Sequence, residues 1–482
     1  MPIRVYPIAA LAALALSLTG CDRAHDGPIR VSAIGGGPSA VNPNLAPMNA
    51  ASAFLAEASA QGLVRFDAAG EIEPGLAQSW IVSDDGLRYT FRLRRAQWAD
   101  GSPVTAQQVV ARLRAALSRA SRNPLKPVLG AVSDVVAMTD SVLEISLRGP
   151  RPNFLQLLAH PEMAILQNGA GSGPYRVAEI GPAGARLALP PAEDDGAPAG
   201  PDILLRGERA ALAVARFAEG DADLVVGGTV DDLVYVRASE IPTSRLVLDD
   251  VSGLFGLAFA SNQGPLAEPQ VRRAIAMAID REAIVEQLGV PGLNVRTSLV
   301  APGVAELAAP VQPDWVPLPL DQRRQQAAQT IAELGPQTRL RLRVAMPDGP
   351  GYRLVFAHLR RDWRMIGIEA ERVAPGAPAE LRLIDAVAPA NLASWYLRHF
   401  SCEASAVCDA AADQALLAAR LAPRSRDRAA QFAIADRTLN ELVPFIPLTG
   451  PVRWSLVSQR LSGFRPSAFA RHPAGELIEE RP

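Results

Sequence analysis

Ile34-Gly35-Gly36-Gly37-Pro38-Ser39-Ala40 follows an apolar run and mimics a dinucleotide-binding turn, with Glu57 near the distance at which an acid would meet a ribose. Such a turn holds a pyrophosphate only when a helix starts directly after the glycines, because the helix N-terminus supplies the unpaired N–H groups. Pro43 and Pro47 interrupt the segment that would have to be that helix, so a flavoenzyme is not expected. Hydrolysis finds no better footing. The chain has no Gly-x-Ser-x-Gly, His-Glu-x-x-His or Ser-x-x-Lys set, so neither an activated nucleophile nor a zinc site emerges. Paired carboxylates stay open on composition alone. With five His and no His-rich tract, no metal function is marked.

The elements that must position such groups are read from periodicity. Residues 29–34 have the apolar content of a first strand. Trp80-Ile81-Val82, the turn Ser83-Asp84-Asp85-Gly86 and residues 87–94 form a hairpin, in which Leu87, Tyr89, Phe91 and Leu93 alternate with polar neighbours. Thr105 with Gln108 makes a capping box ahead of a helix striped by Val109, Leu113, Ala116 and Leu117. Residues 142–147 alternate as a strand, and 181–201 read as a Pro/Gly/Ala-rich loop. A helix over 210–217 and a strand over 221–226 follow. Pro269 opens a helix whose apolar face runs through Val271, Ile275 and Ile279 to Leu288, ending at Gly289. Helices over 321–334 and 352–366 then alternate with strands over 339–345, 368–373 and around Leu381 and Leu383. That rhythm predicts an open, largely parallel sheet.

The amino terminus sets the compartment. Arg4, an apolar run over 8–18 and Leu18-Thr19-Gly20-Cys21 read as a signal peptide, too short for a span that needs roughly 20 residues. The final four residues resemble the bacterial lipobox, which implies lipidation of Cys21. Asp22 beside it resembles an inner-membrane retention signal. Of the three cysteines, Cys402 and Cys408 remain, and an even pair in an oxidising compartment reads as a disulfide. His399 nearby brings the potential metal ligands only to three, short of a structural site. The 482 residues, 49% hydrophobic and 20% charged, suit two or three domains, and a net charge of -2 excludes a nucleic-acid surface.

Several short blocks occur in a telling order: Val41-Asn42-Pro43; Gly62-Leu63-Val64; Glu73-Pro74-Gly75-Leu76-Ala77-Gln78-Ser79-Trp80; Asp84-Asp85-Gly86-Leu87; and Asp100-Gly101-Ser102-Pro103-Val104-Thr105-Ala106. Gly173-Pro174-Tyr175, Val271-Arg272-Arg273-Ala274, Ala278-Ile279-Asp280-Arg281 and Pro444-Phe445-Ile446-Pro447-Leu448 follow. Together they resemble the large solute-binding proteins of peptide and nickel ABC importers, extracellular solute-binding protein family 5, over nearly the whole mature chain. Gln97-Trp98-Ala99-Asp100 and Gln107-Gln108 depart from that pattern at positions expected to be surface or packing.

The resemblance implies an α/β, two-lobed periplasmic-binding-protein-like fold (type II) with an additional inserted domain in lobe one. Its layout places the signal peptide at 1–20, a lipidated linker at 21–27, lobe I at 28–52, 170–255 and 444–482, the inserted domain at 53–169 and lobe II at 256–443. It implies a monomer with no cofactor and no chemistry on its ligand. That monomer is tethered by its lipid and passes a peptide-like solute to an ABC permease–ATPase complex in the inner membrane; a nickel chelate or sugar-type solute is the alternative within the fold. Gly36 and Gly37 occupy the lobe-one ligand position, where the family often has an acid. Asp385, followed by Pro389, matches the acid that neutralises a peptide's α-ammonium in relatives, although a solvated turn aspartate fits the same short motif. Trp395 and Arg398 are expected near the cleft, with packing beneath the cysteine loop the competing role for the tryptophan. Trp80, Tyr89 and Phe91 belong to the core by their alternation.

Overall fold

The computed structural model describes residues 27–478 other than 99, 168, 191–199, 308, 336 and 338. The lipobox with Cys21, the retention residue Asp22 and the signal segment lie outside the described residues. Among the described residues no helix is long and apolar enough to cross a membrane.

Three sheets carry the architecture. The first has seven strands in the order Leu246–Leu248, Arg453–Val457, Leu224–Thr229, Ile29–Ile34, Ile203–Glu208, Gly184–Ala188 and Arg176–Gly181. Ile29–Ile34 is central and parallel to both neighbours. The remaining pairs of that sheet are antiparallel. A second sheet of five strands runs Glu369–Val373, Arg341–Ala345, Leu381–Val387, Gly253–Phe259, Phe445–Thr449. Its first two pairs are parallel and its last two antiparallel. Both sheets are therefore mixed, a correction to the largely parallel sheet expected from helix–strand alternation. A third, antiparallel sheet of four strands, Ala77–Val82, Arg88–Leu93, Val142–Leu147 and Val132–Ala137, forms the inserted domain.

The local patterns explain most elements. In Arg88–Leu93 the residues Tyr89, Phe91 and Leu93 are buried and their neighbours are not, as a period of two requires. Thr105 accepts from the Gln108 N–H while Gln108 reaches back to the Thr105 N–H, closing the capping box on the helix Ala106–Leu117. Two expectations change. The single helix from Pro269 to Gly289 is two helices, Pro269–Met277 and Arg281–Leu288. Asp280 breaks them: its carboxylate caps Ala283 N–H at 3.0 Å, and its own N–H donates to the fully buried Asp362 at 2.9 Å. Gly289, at φ 56°, supplies the left-handed C-cap that a side chain would strain. Within the expected loop 181–201, Gly184–Ala188 forms a hairpin strand with Arg176–Gly181, burying Ala185 and Leu187.

Sheet membership also shows where the chain passes between the two large sheets. Gly253–Phe259 and Phe445–Thr449 both belong to the second sheet, so the chain passes from one large sheet to the other at 249–252 and back again at 450–452. One apolar core joins the sheets across that border, from Val225, Val230, Leu233 and Trp454 to Leu257, Leu342 and Trp363. The inserted domain has its own core, which takes in Ala390 and Leu392 from the second lobe.

Candidate functional site

A cavity of about 440 Å³ opens where the three bodies meet, within the ~300–1,000 Å³ range of small-molecule sites. The inserted domain supplies Leu125 and Val128, each beside a proline, together with His160 and Glu162. The segment after the first sheet supplies Phe469 and Arg471. The second lobe supplies 386–389, Trp395, Arg398, His399 and Ala404.

The second-lobe wall is built by a strand end and a short helix. Leu381–Val387 leaves its sheet as Ala388 N–H donates to the Ser252 carbonyl at 2.8 Å. Leu392 then plugs into the inserted domain's core and the helix Ala393–Arg398 follows. On that helix Trp395 packs edge-on to His399, with centroids 4.6 Å apart. His399 Nδ1 lies 2.8 Å from the Trp395 carbonyl, which can only accept, so Nδ1 carries the proton. Burial lowers the pKa of His399 and keeps the ring neutral. Cys402 and Cys408 are bonded, with Cα atoms 5.0 Å apart, and close the loop that brings Ala404 to the wall.

His160 crosses the cleft. Its Nε2 donates to the Pro389 carbonyl at 2.6 Å, and its ring stands edge-on to Phe66 and Phe469. Burial pulls its pKa down to about 4, so the ring is neutral at pH 7. Behind it Arg471 donates to Glu162 at 2.8 Å and lies 3.9 Å from Glu57. Burial opposes ionisation of Glu162, but the Arg471 guanidinium beside it wins and holds it below the ordinary carboxylate range. Burial pushes Glu57 up to about 7, Arg471 only partly offsetting it.

The expected site residues divide. Trp395 and Arg398 line the cavity. Asp385 sits one residue short of it, and its charge is already met. Arg453 Nη1 donates to one oxygen at 2.7 Å and the Tyr352 hydroxyl to the other at 3.0 Å. Gly36 and Gly37 do not line the cavity. The Gly36 carbonyl packs so closely on Gly207 that a Cβ there would lie 2.1 Å away, and the Gly37 carbonyl accepts from Asn49 Nδ2 at 3.1 Å. His160, Glu162, Phe469 and Arg471 were not singled out from sequence, where no local motif surrounds them. Among the described residues no group of three or more His, Cys, Asp or Glu could hold a metal ion. What the arrangement offers is an apolar, aromatic-lined chamber with few unmatched charges.

Comparison with known proteins agrees with this geometry. Residues 71–385 match the model of the bacterial extracellular solute-binding proteins, family 5 Middle. The nickel-binding periplasmic protein of Escherichia coli is 27% identical over 279 residues, 50% of each chain. The periplasmic oligopeptide-binding protein OppA of E. coli is 24% identical over 57% of each. The matched sequence thus spans about half the length of these curated relatives. In three dimensions the coverage is wider. OppA of Haemophilus influenzae in complex with RPPGFSPFR superposes with a TM-score of 0.81 at 19% identity, covering 94% of this chain and 98% of that one. The murein tripeptide binding protein MppA of E. coli gives 0.80 at 21% identity, covering 92% and 97%. The fold is the two-lobed one of these proteins.

Proposed function

The chain belongs to the bacterial extracellular solute-binding proteins of family 5, and from that membership we propose that it is the receptor component of an ABC importer, capturing a peptide-like solute in the cleft between its lobes and delivering it to an inner-membrane permease–ATPase complex. The observation that carries this reading is the cavity walled jointly by the first lobe, the inserted domain and the second lobe. A solute seated there touches bodies joined by two short crossings, so its contacts favour the closed arrangement and add nothing to an open one. The permease then distinguishes closed from open, and no covalent step is involved. Peptide-like solutes are favoured by the relatives named for oligopeptides and by the neighbour holding RPPGFSPFR.

Within this proposal Trp395 is an apolar wall and Asp385 a contact between the lobes, already closed by Arg453. A ligand ammonium reaching Asp385 would take the place of Arg453, so the amine adds little net affinity. The lobe assignment proposed is 27–60, 170–248 and 453–478 for the first, with the second between the crossings. Anchoring through Cys21 on the periplasmic face, with Asp22 favouring the inner membrane, and a monomeric state complete the proposal; the lipobox resemblance supports the anchor. Native mass spectrometry of protein purified without refolding, paired with solution scattering against a di- to pentapeptide pool, tests it. A retained peptide mass and compaction on addition are expected. A retained nickel chelate would move the ligand class, and an unchanged envelope across the pool would sink the reading.

A further inference from the structure

Away from the cavity, the seam between the inserted domain and the second lobe gathers cations from both sides. From the inserted domain, Arg148 Nη1 donates to the Gly130 and Val132 carbonyls at 3.1 and 3.2 Å, and Arg151 Nη2 donates to the Arg420 carbonyl at 3.1 Å. From the second lobe, Arg420 in the last turn of the helix Ala410–Leu421 donates to the same Gly130 carbonyl. Gly130 makes room for it, since a Cβ there would lie 3.0, 3.1 and 3.3 Å from three atoms of that guanidinium. Among the described residues every partner of these three guanidinium groups is a main-chain carbonyl. Their donors are met and their charge is not. The carbonyl end of a helix supplies only about half an elementary charge, against three. Glu306 acts on Arg151 but is already paired with Arg428 at 2.9 Å, while Arg398 and Arg428 add to the repulsion. Burial and this crowding lower the pKa of Arg151 to about 10. Arg148 Nε and Nη2 and Arg420 Nε and Nη1 donate to no group among the described residues, and Arg148 is exposed.

We propose that this seam is a binding site for a phosphate-class oxyanion, which bridges Arg148 and Arg151 of the inserted domain to Arg420 of the second lobe. None of the three lines the cavity, so the site goes beyond solute capture and does not depend on what the cleft receives. A tetrahedral oxyanion accepts forked, charge-assisted hydrogen bonds from more than one side and brings the negative charge that carbonyls lack. Free phosphate and the phosphodiester headgroup of a lipid share that chemistry.

Calorimetry and thermal melting of the full chain at constant ionic strength in chloride test it, with inorganic phosphate and glycerophosphoglycerol, a soluble headgroup diester, as the two probes. Saturable binding with a raised melting temperature is expected; tighter phosphate binding identifies the free anion as the ligand, and tighter diester binding the headgroup. Arg148→Gln/Arg420→Gln should weaken binding by at least about tenfold. Gly130→Ala, which keeps every charge but pushes Arg420 aside, should weaken it too, and a cooperative melt in chloride alone shows that each variant folds. Arg206→Gln/Arg339→Gln, at exposed arginines in other elements, should leave binding unchanged. Binding that survives both seam variants, an equal loss in Arg206→Gln/Arg339→Gln, or no saturable binding of either probe overturns the proposal and leaves the importer reading untouched.

Discussion

The second lobe meets the rest of the molecule along two fronts that are built differently. Toward the first lobe, acid side chains set much of the contact, beside main-chain acceptors such as the Leu288 carbonyl for Arg237. Asp385 takes Arg453, and Asp231 accepts the Tyr352 N–H at 3.0 Å while its backbone carbonyl lies 3.3 Å from the Gly351 nitrogen. Gly349 lies so close that a Cβ there would sit 1.7 Å from the Asp231 carboxylate. Toward the inserted domain the acceptors are main-chain carbonyls: Pro389 for His160, Asn391 for Asn153, Arg420 for Arg151, and Gly130 for Arg420. Acids met by particular partners fit one register, whereas carbonyls are presented at every residue. The first front is thus suited to act as a fixed pivot. The second can re-seat around solutes of different shape.

Breaking the pivot should cost most. Arg453→Ala leaves Asp385, 9% exposed, without its cation, and breaking such a pair costs about 4 kcal/mol. Urea unfolding should show that loss, with much of it recovered in the Arg453→Ala/Asp385→Ala double variant. An additive double variant would mean that the pair does not hold the front.

The insert front should instead be the acid-sensitive one. His160 has a folded pKa near 4 against 6.5 unfolded, so the unfolded chain binds the extra proton as pH falls. Its contribution is therefore fully present above pH 6.5 and lost as pH falls toward 4, by about 3 kcal/mol. Glu162, Arg471, Phe66 and Phe469 face the ring, and Glu57 beyond Arg471 changes in the opposite sense, its raised pKa favouring the folded state at lower pH. His160→Gln keeps a donor for Pro389 but cannot titrate. The parent-minus-variant stability should then fall between pH 6.5 and 4, and parallel curves would remove His160 as the cause.

Smaller changes sharpen the contrast. Gly349→Ala forces Asp231 aside, an overpacking cost of about 2 kcal/mol, and scattering should show a more open average envelope without ligand. Asn153→Ala removes one exposed hydrogen bond to a carbonyl. It should cost below about 1 kcal/mol and leave the envelope unchanged.

What the sequence disclosed follows the range of the interactions. The hairpin around Ser83–Gly86 and the Thr105–Gln108 box are set by neighbours a few residues apart, and both read directly. Phe445–Thr449 did not, because all five of its residues are buried. A strand covered on both faces has no alternation to say which sheet it joins. The site shows the same limit. Asp385 stands in a recognisable motif, yet the partner that neutralises it lies 68 residues further on. His160 meets Pro389 across 229 residues with no pattern around either.

The position of Ile29–Ile34 has a mechanical consequence. It lies mid-sheet with a parallel neighbour on each side, and Arg460 fastens the Pro28 carbonyl just before it at 3.1 Å. A pull on the chain at that end runs along the strand, loading both ladders in shear rather than peeling one bond at a time. The strands of the second sheet lie outside both of these ladders and outside that line of load.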